Sequence, residues 1–278
     1  MKIIECPRDA MQGISEFIPT DIKAAYINQL LKVGFDTIDF GSFVSPKAIP
    51  QLRDTAKVLA ELDLENTSSK LLSIIANTRG AIDACIFDEI SYLGFPLSVS
   101  EQFQKRNTNK SITQALNDVE KIQNLALKNN KELVVYLSMA FGNPYSENYD
   151  PEIVAELTEK LHDLDIGIIS LSDTIGVSSP TNIAPLFDTL IKEYSTIEFG
   201  AHFHTTSDAW EEKVTAAYLN GCRRFDAALK GFGGCPMAKD NLVGNMPTEK
   251  LITYFNEDLL LNTEELEKSL SLSAKVFK

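Results

Sequence analysis

Phe199-Gly200-Ala201-His202-Phe203-His204-Thr205-Thr206 holds two of the chain's three histidines, two residues apart. The run leading into them, Thr196-Ile197-Glu198-Phe199, reads as a strand. On a strand, residues i and i+2 face the same side. His202 and His204 therefore present two imidazoles together, where a strand ends and a loop should begin. A strand that offers two ligands to one metal ion looks like this, but so does a pair of half-exposed histidines at a strand edge, and two imidazoles do not complete a site. What stands beside this strand decides both the fold and the chemistry.

Working outward, short β-branched runs alternate with longer amphipathic ones, the rhythm of βα units on a parallel sheet. Strands are expected at residues 3–6, 37–40, 71–76, 89–93, 133–137 and 168–171, then the histidine strand, then 224–229. Helices are expected between them: one capped by Thr20-Asp21 and ended by Gly34, one after Pro50, and one from about Gly80. Others run from near Ser111 past Leu125, from Pro151, from Pro180-Thr181, and from Ser207 to Leu219 with Gly221 closing it. A last helix of the set follows Pro247-Thr248, and a further one starts at about Asn262. Eight βα units close a barrel at this length. The expected fold is α/β, a TIM (β/α)8 barrel with a C-terminal helical extension, with residues 1–278 as one catalytic domain. An open doubly wound sheet is the rival, but neither GxGxxG nor a P-loop follows the first strand.

The chain has 278 residues and a formal net charge of −13, which argues against nucleic acid or an anionic membrane as partner. No apolar run approaches the ~18 residues of a spanning helix. Met1-Lys2-Ile3-Ile4-Glu5-Cys6 runs straight into a strand with no signal-like segment. The four cysteines, Cys6, Cys85, Cys222 and Cys235, have no CxxC spacing and read as free thiols. A cytoplasmic location is expected.

Closure makes the ends of strands 7, 8 and 1 neighbours, and sites of such barrels lie at the C-terminal strand ends. There the sequence places Pro7-Arg8-Asp9 with Gln12, then Lys230-Gly231-Phe232-Gly233-Gly234-Cys235-Pro236 and Gly244-Asn245. Two imidazoles, the Asp9 carboxylate and the Asn245 amide suit a divalent ion such as Mg²⁺, Mn²⁺ or Co²⁺, with Zn²⁺ also compatible. Each piece has an ordinary reading as well: an ion pair, a glycine turn, a helix cap. Their convergence at one end of adjacent strands favours the site. Lys47 and the basic loop Lys105-Arg106-Asn107-Thr108-Asn109-Lys110 could meet phosphates, or be solvated surface charge. Asp173, at the end of strand 6, could orient a histidine, assist proton transfer, or simply cap a turn. His162 reads as a surface residue.

The chain resembles the 3-hydroxy-3-methylglutaryl-CoA lyases, within a larger superfamily of metal-dependent lyase and Claisen-synthase barrels. The likeness runs through Pro7-Arg8-Asp9-Ala10-Met11-Gln12, Asp39-Phe40-Gly41-Ser42-Phe43-Val44-Ser45-Pro46-Lys47, Ser100 to Asn107, Ser138 to Tyr145, and Ser170 to Val177. It continues in His202-Phe203-His204, Gly233-Gly234-Cys235-Pro236 and Gly244-Asn245-Met246-Pro247-Thr248-Glu249. The resemblance implies Asp9, His202, His204 and Asn245 as metal ligands and Arg8 as the group that neutralises an enolate oxygen. It implies Cys235 as acid/base on a loop, with Asp39 and Asp173 also in the catalytic set. Within the motifs, Gln12, Lys47, Ser100, Asn107 and Thr174 join Arg8 as expected substrate contacts. The implied reaction is retro-Claisen cleavage of an acyl-CoA substrate, dependent on a divalent metal ion, most simply Mg²⁺ or Mn²⁺, and the family expectation is a homodimer. Departures from the family pattern are Asp39 for Glu, Thr205 for Asp, Gly13 for Glu, and Glu5-Cys6 for an apolar residue and glycine. A condensing enzyme or pyruvate-enolate aldolase of the same superfamily, or a barrel that binds without turnover, remain the alternatives.

Overall fold

Eight apolar runs pair in chain order and the last returns to the first, in a computed structural model that describes residues 1–234 and 243–277. The strands are β1 (Lys2–Glu5), β2 (Thr37–Ser42), β3 (Lys70–Ile74), β4 (Ile90–Ser98), β5 (Glu132–Ser138), β6 (Ile168–Asp173), β7 (Glu198–Thr205) and β8 (Arg224–Ala227). Every neighbouring pair is parallel, and β8 pairs with β1 from Lys2↔Arg224 to Glu5↔Ala227, so the sheet closes. Between and after them lie α1 (Pro7–Gln12), α2 (Thr20–Leu31), α3 (Thr55–Ala60), α4 (Thr78–Cys85), α5 (Glu101–Thr108), α6 (Ile112–Lys128), α7 (Pro151–His162), α8 (Pro180–Glu193), α9 (Trp210–Leu219), α10 (Thr248–Tyr254) and α11 (Thr263–Val276). This is the TIM barrel with a C-terminal helix that the sequence predicts. Among the described residues no helix is long and apolar enough to cross a membrane.

Alternation along each strand builds two cores. Leu71, Leu93, Val135 and Ile169 face the helices in the large core. Their neighbours Leu72, Tyr92, Val134, Tyr136 and Ile168 form a second cluster, which fills the barrel lumen. Helix ends follow local chemistry. Ser111 and Gln114 close a capping box on α6, Asp150 caps α7 ahead of Pro151, and Asn262 caps α11. The extension helix docks on α2 through Gln29, which donates to the Glu265 carbonyl at 3.0 Å and to its carboxylate at 2.7 Å.

Several local expectations are corrected. Pro7-Arg8-Asp9, expected at the end of strand 1, forms the first turn of a short helix, α1, since proline at the start presets a helical φ. Thr20 is the first helical residue and caps nothing; its hydroxyl donates instead to Asp54 at 2.8 Å. The basic run from Lys105 is mostly helix, because Ser100 caps α5 and Asn109, at φ 57°, ends it. β7 continues through both histidines to Thr205, so the loop begins later than expected. The next helix starts at Trp210 rather than Ser207, and β8 ends at Ala227.

Glu5 is fully buried at the seam. Its carboxyl accepts the Leu229 N–H at 3.0 Å and the Thr248 hydroxyl. It thereby clasps the chain just after β8 and the start of α10. Burial pushes its pKa up to about 8 against the lowering effect of those two hydrogen bonds. A carboxyl whose folded pKa is raised stabilises the fold at low pH, and that contribution is lost as pH climbs through the folded value. Denaturant stability should therefore fall between about pH 5 and 8 by a few kcal/mol, at about 1.4 kcal/mol per pKa unit. Glu5→Gln should flatten this part of the profile. Parallel profiles for wild type and variant in urea titrations would contradict the assignment.

Candidate metal centre and active site

Register fixes the centre. β7 and β8 align His202 with Asp226, and a short antiparallel strand, β9 (Gly244–Asn245), lays Asn245 against His204. α1 delivers Arg8 and Asp9 from the other side of the seam. One ligand atom each from Asp9, His202 and His204 lie within 4.8 Å of one another. Asn245 joins them: its Nδ2 donates to Asp9 Oδ2 at 2.7 Å and to the Phe232 carbonyl at 2.8 Å. Two acceptors at Nδ2 fix the amide orientation and leave Oδ1 as the lone-pair side. This approach requires Gly233, at φ +95°, where a Cβ would stand 2.7 Å from Asn245 Nδ2 and 2.9 Å from the Asp9 carbonyl.

The donor set fits a cation. His204 Nδ1 is 2.9 Å from the Thr174 carbonyl, so that nitrogen carries the proton. Its Nε2 is buried with no hydrogen-bond partner among the described residues, a lone pair facing Asp9 and His202. Burial and the neighbouring His202 lower the His204 pKa, which keeps it neutral. His202 Nδ1 lies 3.0 Å from Asp226 Oδ2, which leaves its Nε2 toward the cluster. For His202, burial acts downward, but the hydrogen bond and charge of Asp226 prevail and raise the pKa. For Asp9, burial acts upward, but Arg8 and the two histidines prevail and lower it. A neutral histidine and an ionised carboxylate are the states that metal ligation needs.

Arg8 is held rigidly beside this cluster. Its Nε and Nη2 engage Asp39, at 3.0–3.1 Å and 2.6 Å. Nη1 donates to Asp9 at 3.0 Å and to Gln12 at 2.9 Å, and Gln12 in turn donates to Asp9 at 2.7 Å. Of the five guanidinium N–H groups, one on Nη2 remains. Desolvation would discharge Arg8, but Asp39 and Asp9 hold it charged. Asp39 is itself lifted by burial to about 6, still ionised at neutral pH.

The other expected residues divide. Thr174 is close, orienting His204 through its carbonyl while its hydroxyl accepts from the Met139 N–H at 2.9 Å. Asp173 touches no histidine. Its carboxylate accepts from the Val177 and Ser178 amides, the Ser178 hydroxyl and Lys213, which makes it the clamp of the turn after β6. Lys213 is the indirect link, bonded at once to Asp173 at 2.8 Å and to the His204 carbonyl at 2.9 Å. Ser100 caps α5 and donates to Glu147. Lys47 and Asn107 are exposed, and no hydrogen bond ties either to the cluster. Cys235 lies outside the described residues. Asp226 and Lys213 were missed in the sequence. The available signal for Asp226 was its place on strand 8, the neighbour of the histidine strand; Lys213 had none beyond its amphipathic helix.

A closed parallel barrel whose C-terminal mouth gathers two histidines, a carboxylate and an amide defines a (β/α)8 barrel with a candidate metal-binding group. A model of the HMGL-like family matches residues 2–276, and the chain belongs to that family. It is 33% identical over 274 residues to a hydroxymethylglutaryl-CoA lyase of Bacillus subtilis, covering 95% of this chain and 88% of the relative. It is also 33% identical over 266 residues to the cytoplasmic 3-hydroxy-3-methylglutaryl-CoA lyase of Rattus norvegicus, covering 95% and 76%. Among solved structures, an HMG-CoA lyase from Acinetobacter baumannii, in complex with coenzyme A and 3-methylmalate, superposes with a TM-score of 0.88 at 32% identity, covering 97% of this chain and 88% of that one.

Proposed function

We propose that this protein is a metal-dependent carbon–carbon lyase that cleaves 3-hydroxy-3-methylglutaryl-CoA, or a close 3-hydroxyacyl-CoA, to acetyl-CoA and a keto acid, acetoacetate in the parent case. The observation that carries the reading is the buried, lone-pair-bearing His204 Nε2 grouped with Asp9 and His202 beside a fixed Arg8. Family membership and the named relatives support the substrate class.

Asp9, His202, His204 and Asn245 would hold the ion, and Mg²⁺ or Mn²⁺ suits this mixed oxygen and nitrogen set. When bound, such an ion supplies Lewis acidity that makes a substrate hydroxyl easier to deprotonate. Arg8 offers its remaining N–H to the thioester oxygen, where negative charge grows only as the carbon–carbon bond breaks. Asp39 and Gln12 hold that guanidinium in place, so no reorganisation is required at the moment of cleavage. Cys235, in the Gly-rich run that follows β8, is the proposed acid/base, which takes up the proton that the substrate hydroxyl gives up and delivers one to the departing enolate carbon. Lys47 and the cationic face of α5 near Asn107 are proposed to meet the phosphates of coenzyme A. We read residues 1–278 as one cytoplasmic catalytic barrel.

A coupled assay of acetyl-CoA release from 3-hydroxy-3-methylglutaryl-CoA, with Mg²⁺ or Mn²⁺ and a reductant, tests this directly. Release should require metal, and Cys235→Ala should lower kcat by about 10²–10⁴-fold, the range for loss of a general acid, while metal affinity is retained. Metal-loaded wild type that releases no acetyl-CoA from any such thioester would sink the proposal.

A further inference from the structure

Beneath the metal centre, one register line crosses four strands: Tyr136 on β5, Ser170 on β6, Gly200 on β7 and Arg224 on β8. Arg224 is completely buried. Its guanidinium carbon sits 5.7 Å from the ring centroid of Tyr92, on the opposite wall, so the side chain crosses the lumen. Gly200 makes the crossing feasible, since a Cβ there would stand 3.1 Å from Arg224 Cδ and 3.3 Å from Ser170 Oγ. None of the three guanidinium nitrogens has a hydrogen-bond partner among the described residues. The Tyr136 and Ser170 hydroxyls, in the same line, also have none.

One layer up, Asp226 Oδ2 holds His202 Nδ1, while Asp226 Oδ1 is buried and unpartnered. Arg224 and Asp226 are i and i+2 on β8 and face the same interior. Tyr136 bridges the layers, its ring edge-on to His202 at 5.6 Å. A buried guanidinium without acceptors is costly, and so is a buried carboxylate oxygen without donors. One or a few ordered waters between them would satisfy both, since a buried water makes two to four hydrogen bonds to otherwise unsatisfied polar groups.

We propose that Arg224 is a positioning residue for the metal centre: through bridging water it fixes the Asp226 carboxylate, and that carboxylate fixes the His202 ring toward the ion. The inference rests on the metal reading of the site. The direction of the effect separates it from simple charge. Arg224 as a bare positive charge would repel the ion, so its removal would tighten metal binding. Arg224 as a positioning group predicts the reverse, because an unanchored Asp226 no longer holds His202. Loss of a partner that orients a ligand weakens metal affinity by about 10–100-fold.

The test compares wild type, Arg224→Met, Arg224→Gln and Arg224→Lys by Mn²⁺ titration. It also follows the downfield Nδ1–H proton resonance of His202 in metal-free protein, assigned by its loss in Asp226→Asn. Arg224→Met and Arg224→Gln should bind Mn²⁺ about tenfold more weakly or worse, with the resonance shifted or broadened by exchange. Arg224→Lys should recover part of both. Should Arg224→Met not fold, the Gln and Lys variants carry the comparison. Unchanged or tighter Mn²⁺ binding, or weaker binding with an unmoved resonance, overturns the inference. A wild type that binds no Mn²⁺ overturns the metal reading instead, and the resonance still decides whether Arg224 orients His202.

Discussion

His204→Ala should remove tight Mn²⁺ binding and lower acetyl-CoA release on the order of 10³-fold, since Lewis acidity contributes several kcal/mol and each 1.36 kcal/mol is tenfold. The argument is atomic. The Thr174 carbonyl occupies Nδ1, burial and His202 keep the ring neutral, and Nε2 is left in the interior with a lone pair and no donor among the described residues. In a protein interior such an atom is expensive unless something binds it. Alanine there keeps the residue 204 carbonyl that accepts from the Lys213 ammonium, so the strand end should hold its shape. Mn²⁺ titration by electron paramagnetic resonance, run beside the coupled assay, checks both halves. Retained binding with lost activity would move His204 from ligand to proton carrier.

Arg8→Met should be the second severe change, and it should act on folding and catalysis separately. Asp39 is 1% exposed, and its side chain pairs with Arg8 among the described residues. Removal of one member of a buried pair costs about 3–5 kcal/mol, because the other charge is stranded. Arg8→Met should therefore be strongly destabilised, and Arg8→Met combined with Asp39→Asn should regain much of that loss. Activity should not return with it. Loss of a preorganised donor to developing negative charge lowers kcat by about 10²–10³-fold, and the double variant supplies no substitute. Denaturant curves for the two single variants and the double give the stability cycle, and kcat for the same proteins gives the other. A double variant that recovered both would make Arg8 purely structural.

The barrel was legible because eight strands of the right length carry their own punctuation: proline at the head of a helix, glycine past its end, β-branched residues between. The histidine pair was legible because period two on a strand is a strict rule. Asp9 and Asn245 were placed correctly by closure alone, yet how Asn245 arrives was not readable. β9 is two residues long, with no alternation to see, and its position depends on glycines meeting across a gap. Arg8 and Asp39 read as members of one motif set, but their mutual geometry did not, because residues 31 apart meet only after β1 and β2 pair. For a similar reason the spacing did not choose between the two readings of Asp173, histidine partner or turn cap. The turn after β6 folds back and presents its own amides to that carboxylate, which no spacing reveals. Arg224 offered no signal at all, since arginine at the start of a strand ordinarily points to solvent.

The seam between β8 and β1 has one more consequence. Asp9 and Asn245, in hydrogen-bond contact, stand 236 residues apart, and the Glu5 clasp spans 224 residues to Leu229 and 243 to Thr248. During synthesis the amino-terminal half is made first and can begin to collapse long before the other ligands leave the ribosome. The cluster can therefore assemble only after β7, β8 and β9 have been made. Half-made or truncated copies carry Arg8 and Asp9 without the histidines, so a partly built molecule lacks the assembled cluster. Activity, in such an architecture, certifies that the whole ring has closed.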